Sequence, residues 1–165
     1  MSLATDSIFI TALQSNTDLM EALGYVEATQ TSEGAPARLY CTAIPLPDED
    51  AENVPVPYVI VTFDGLTNDQ GTKDDRYESE YDTVNIGVEV AARNIDELHN
   101  LTQMVRDTIL SYLRTKETAI MDYNFAAQPI QFDSLKPCYW QVLTYQCDTV
   151  NTNDDEQEDG SNSGI

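Results

Sequence analysis

The chain has 165 residues, enough for one domain with a true core, and its 29 acidic against 8 basic side chains give a formal charge of −21. That charge repels free nucleic acid and anionic membrane and leaves no basic groove for phosphates, which disfavours a sequence-reading DNA-binding domain. Three cysteines, an odd number with no C-x-x-C, argue against a disulfide framework or a zinc site.

Six acids fall in residues 148–165 without a Lys or Arg, yet residues 1–147 keep 23 acids against 8 bases. The body itself is acidic, which serves solubility and also suits a surface that must stay near DNA without sticking to it. The N-terminus has neither the basic segment nor the apolar core of a signal peptide, and no run approaches the ~20 apolar residues of a membrane span. Reduced thiols in a cytoplasm and no membrane partner are therefore expected. Cys138 and Cys147 fall on one expected strand, about 30 Å apart and on opposite faces, so they cannot bond within one chain.

From Thr5 or Asp6 a short helix is expected, with Ile8, Phe9, Ala12 and Leu13 on one side. After Ser15-Asn16-Thr17 a second short turn carries Leu19, Met20 and Leu23 and stops at Gly24, both segments serving as lids on a sheet. Tyr25 to Ala37 is polar, with Glu33-Gly34-Ala35-Pro36 as a turn signal; Arg38 to Ile44 reads as a strand that Pro45 and Pro47 end. Asp48-Glu49-Asp50-Ala51-Glu52 reads either as a metal or carboxylate cluster or, between its prolines, as a solvated loop.

Pro57 to Phe63 is the most apolar strand, with Tyr58, Val59, Ile60 and Val61 leaving neither face polar, as a central or doubly covered strand requires. Asp64 to Arg76 is a long acidic connection; it lacks the D-x-[DN]-x-[DN]-G order of a calcium loop. The stretch from Tyr77 to Leu113 is the most legible. Val84, Ile86, Val88 and Val90 share one side of a strand, and Asn85, Gly87, Glu89 and Ala91 take the other. After Arg93-Asn94, the residues Leu98, Leu101, Val105, Ile109 and Tyr112 form the apolar stripe of a helix. Asn94 is its N-cap, Asp96 and Glu97 suit the positive end of its dipole, and Arg114 and Lys116 suit the negative end.

Thr115 to Pro137 is mixed, with Met121, Tyr123, Phe125, Ile130 and Phe132 forming a short strand or a packed meander. In the last strand, Tyr139, Leu143, Tyr145 and Cys147 share one side and Trp140, Val142 and Thr144 the other. Both sides call for cover, so part of the second face is expected to meet another subunit. Together these elements predict an α+β fold: a small mixed or antiparallel sheet of about four strands with helices packed on one face. Residues 1–147 form that single domain, and 148–165 read as a disordered acidic tail.

Little in the sequence carries chemistry. His99 has no second histidine or spaced cysteine, and there is no G-x-S-x-G, Walker A, G-x-G-x-x-G or H-E-x-x-H pattern. Glu78 and Glu80 share a strand side and could serve as acid and base, a pairing that chance also supplies in so acidic a chain. No catalytic residue, metal or cofactor is expected.

The order of short helices, strand, apolar strand after an acidic proline-bounded loop, long loop, alternating strand, amphipathic helix and final strand resembles the tail terminator or tail-completion proteins of long-tailed bacteriophages. The resemblance rests on Val84-Asn85-Ile86-Gly87-Val88-Glu89-Val90-Ala91-Ala92-Arg93-Asn94-Ile95-Asp96-Glu97-Leu98, on Val105-Arg106-Asp107-Thr108-Ile109-Leu110, and on Pro57-Tyr58-Val59-Ile60. It spans residues 5 to 147; the acidic tail and the loop from Pro45 to Pro57 depart from the family pattern. It implies a virion subunit that closes into a ring, usually a hexamer. Such a ring caps the head-proximal end of the tail tube and offers a surface to the head connector, while DNA passes through without being specifically bound. The candidate tube-facing contact is the connection carrying Asp64, Asp69, Lys73, Asp74, Asp75 and Arg76; the alternative is an idle surface loop. A head-tail connector (neck) protein shares these features, and an acidic DNA-mimic inhibitor is the reading of another class.

Overall fold

The computed structural model describes residues 4–44, 55–68 and 81–150. The acidic run at 48–52, residues 69–80 of the long connection and everything from 151 lie outside the described residues.

Among the described residues three helices, α1 (Thr5–Gln14), α2 (Thr17–Ala22) and α3 (Ile95–Thr115), accompany six strands. The strands are β1 (Leu39–Cys41), β2 (Tyr58–Asn68), β3 (Tyr81–Ala92), β4 (Ile120–Ala127), β5 (Gln131–Asp133) and β6 (Cys138–Val150). They form one mixed sheet in the order β1-β2-β3-β6-β4, with β5 also on β6. Only β1 runs parallel to its neighbour; every other pairing is antiparallel.

The α+β expectation holds, and the sheet is larger than about four strands because the mixed stretch supplies two. Both lie along one edge of β6, β4 against Leu143 to Thr149 and β5 against Cys138 to Trp140. An edge strand has one wet flank, and β4 half-buries only Ile120, Tyr123 and Phe125. That leaves too little alternation to mark a strand.

Residues opposite one another in register share a face of the sheet. Val59 and Val61 of β2, Val84, Ile86, Val88 and Val90 of β3, and Leu143, Tyr145 and Cys147 of β6 therefore look the same way, and all are buried. Onto that face α3 lays Leu98, Leu101, Val105 and Ile109, and α1 lays Phe9, Ala12 and Leu13. Each helix is positioned by local chemistry. Asn94 is extended and its side chain accepts from the Glu97 amide at 2.8 Å, while the Glu97 carboxylate accepts from the Arg93 amide at 3.1 Å, a reciprocal cap at the start of α3. Asn16 caps α2 by accepting from the Leu19 amide at 3.1 Å and also donates to Thr108 at 2.8 Å, which ties α2 to α3.

Three boundaries differ from expectation. The strand expected over Arg38 to Ile44 is only Leu39–Cys41, since Thr42 takes a positive φ of 72°. β2 does not end at Phe63: Asp64 and Gly65 form a bulge, and pairing resumes with Leu66 opposite Val84 and runs to Asn68 opposite Asp82. Gly65 supplies the φ of 120° that the bulge needs. β6 continues beyond Cys147 to Val150, with Thr149 fully buried, so the folded part extends past the expected edge at 147.

Candidate assembly interface

All three described helices pack on one side, and among the described residues no layer covers the other face of the sheet. Its central strip is half apolar. Tyr58, Ala91 and Trp140 lie abreast across β2, β3 and β6, and next to them Ile60, Glu89 and Val142 do the same. Ala91 is fully buried between its neighbours, whereas Tyr58, Ile60, Trp140 and Val142 are half-buried. The odd-numbered side of the alternating strand β3 and the side of β6 that carries Trp140, Val142 and Thr144 thus form this face, as their spacing predicts.

Glu89 is the charged group at its centre. Burial raises the pKa of its carboxyl, and a hydrogen bond received from the Tyr58 phenol opposes that rise in part. The Tyr58 phenol is itself pushed up to about 12, by burial first and by the Glu89 charge second. Cys138, near the Trp140 end of the face, is 4% exposed and its thiol is pushed up by burial. Cys147, on the helix side, is pushed up to about 12. Neither thiol has the lowered pKa of a reactive cysteine.

Of the residues singled out in the sequence for contact, Asp64 alone is described. It stands exposed on the β2 bulge with its carboxylate over Gly87, an oxygen 2.5 Å from where a Cβ on that glycine would stand. Partial burial raises its pKa. Asp69, Lys73, Asp74, Asp75 and Arg76 lie outside the described residues. The strand ends that bracket them are joined by a hydrogen bond of 2.7 Å from the Asn68 amide to the Asp82 carboxylate. Asp82 is 7% exposed, so the base of this hairpin is a buried polar clasp.

Sequence reasoning missed the two side edges of the sheet. Along the β4 edge, a groove of about 400 Å³ under α3 is lined by His99, Arg106 and Phe125, and Arg106 lies 4.3 Å above the Phe125 ring. A second, of about 450 Å³, holds Arg114, Tyr123 and Asp122. At the opposite edge a groove of about 700 Å³ is lined by Met20, Glu21, Tyr25, Glu27 and Leu39. Among the described residues no cluster of three or more His, Cys, Asp or Glu could hold a metal ion. No described helix is long and apolar enough to cross a membrane. Glu78 and Glu80 are not among the described residues, and His99 is exposed on α3.

No protein-family model matches the chain, and no curated protein does. Among solved structures, the fold is similar to that of a chain in the "Virion of native gene transfer agent (GTA) particle". The TM-score is 0.54 at 10% identity, over 88% of this chain and 94% of that one. The "Structure of bacteriophage SPP1 gp17 protein" is matched with a TM-score of 0.42 at 16% identity, over 92% of each chain. The first similarity extends over nearly the whole of both chains and shows a shared fold.

Proposed function

We propose that this protein is a structural subunit of a phage-like virion. In this reading it closes into a ring of six copies, as in the family it resembles, caps the head-proximal end of the tail tube and joins it to the head connector. The observation that carries the reading is the sheet face away from the helices: Tyr58, Ile60, Trp140 and Val142 stay half-exposed there, while the described helices all pack on the other side. A second protein surface is the natural cover for such a face. The shared fold with a virion chain supports a virion setting.

The task needs shape and no chemistry. A ring that reproduces the tube's end contact on one face and not on the other stops growth of the tube. In this reading the uncovered face and the connection over residues 64–76 both meet the tube, and the formal charge of −21 suits a channel through which DNA slides without binding. Removing the gene from a particle-producing strain tests the proposal. Over-long tails, or tails that fail to join filled heads, are expected; tails of normal length attached to heads would overturn it. Normal-length tails left unattached would instead point to a neck protein.

A further inference from the structure

The two side edges of the sheet are complementary. Resting on the ring reading above, we propose that the ring closes head to tail: the β4 edge of one copy seats on the β1 edge of the next.

Among the described residues, the large apolar side chains that stand exposed are Tyr25, Val26, Met121, Ile130, Phe132 and Leu135. All six lie beside these two edges. Tyr25 lines the groove against β1, and Val26 follows it. The other four lie within or next to β4 and β5, the strands on the opposite edge. Neither group belongs to the uncovered face that the tube contact would use.

Charge gives the pairing its direction. The groove by β1 is lined by Glu21 and Glu27 with no base. The grooves by β4 are lined by His99, Arg106 and Arg114, with Asp122 as their one acid. Among the described residues the one ion pair joins Arg93 to Glu97 at 3.5 Å, so neither Arg106 nor Arg114 is matched to a carboxylate of the described residues. In a chain with 8 bases against 29 acids, two unmatched arginines along one edge leave that edge locally basic. A contact of an edge with its own kind would set acid against acid or base against base. A contact between unlike edges sets Glu21 and Glu27 against Arg106 and Arg114, with the apolar side chains of both edges between them. Contacts between unlike surfaces propagate from copy to copy and close when the rotation divides the circle.

A charge-swap experiment on the full chain tests this. One variant carries Glu21→Arg and Glu27→Arg, the other Arg106→Glu and Arg114→Glu; all four positions are exposed, and hydrogen exchange checks that both variants remain folded. Because Arg106 packs on Phe125, Arg114→Glu alone serves as a third variant. Ring formation is followed by sedimentation and electron microscopy, with tail-tube ends present if wild type needs them. Each double variant alone should need at least a tenfold higher concentration for half-assembly, and an equimolar mixture of the two should recover rings of alternating composition. Wild-type rings together with unimpaired variants, or with a mixture that fails to recover, overturn this interface and leave the ring reading standing. A wild-type chain that forms no ring even on tube ends overturns both.

Discussion

At position 145 a phenol is 2% exposed among aromatic rings, with Phe9 at 5.0 Å, Phe125 at 5.1 Å and Tyr123 at 5.7 Å between centroids. Among the described residues its hydroxyl has no hydrogen-bond partner, and burial pushes its pKa upward. An unpaired buried hydroxyl costs about 1–3 kcal/mol, whereas the ring contributes area and edge contacts that phenylalanine would keep. Tyr145→Phe should therefore raise stability by up to about 1 kcal/mol in urea unfolding; a loss would reveal a partner for the hydroxyl. Glu89 poses the opposite case, a charge held where burial disfavours it. Its folded pKa is raised, so its contribution to stability is complete below the ordinary carboxylate pKa and is lost as pH rises through the raised value. Glu89→Gln should accordingly raise the melting temperature at pH 7, and the gain should vanish as pH falls through the carboxylate range. An equal gain at every pH would show that charge is not the cause.

The elements were legible in proportion to how one-sidedly they are buried. β3 and α3 each bury one face completely, so Val84 to Val90 and Leu98 to Ile109 display their periods of two and of three to four without interruption. β4 and β5 are not legible as strands, because Met121 and Phe132 are more than half exposed and their apolar side chains do not follow the burial pattern of this domain's core. The Asp64-Gly65 pair misled for a different reason: acid followed by glycine is turn chemistry, and a bulge uses the same residues without leaving the sheet. In α3 the expected burial permits a direct check. Ile109 is 1% exposed and sits in the cluster with Phe9 and Tyr145, so Ile109→Ala should cost roughly 2–4 kcal/mol in denaturant unfolding of the free subunit. A cost near zero would mean that the stripe is filled only after assembly.

At the scale of the whole molecule, the sequence showed that β6 wants cover on both sides but not which surfaces remain open, since openness depends on where all three helices go. A sheet roofed on one side offers two kinds of surface, a broad face and two edges, and the proposed ring uses them separately. That separation carries a consequence for the long connection. Leu66 packs against the core and Asn68 holds Asp82, so a replacement beginning at Gly65 would remove paired strand and damage the fold. Replacing residues 69–75 with a short Gly-Ser turn leaves β2, its bulge and the Asn68 clasp in place. Stability is expected to change by less than about 0.5 kcal/mol in urea unfolding. Ring formation should also persist, because Glu21, Glu27, Arg106 and Arg114 stand on the other surfaces. Tube capping is what should fail, read as unchecked elongation of tail tubes when the variant ring is added to growing ends. A variant that still halts elongation would move the tube contact away from this connection and onto the strip of Tyr58, Trp140 and Val142, where Val142→Asp would then be the substitution that separates ring assembly from capping.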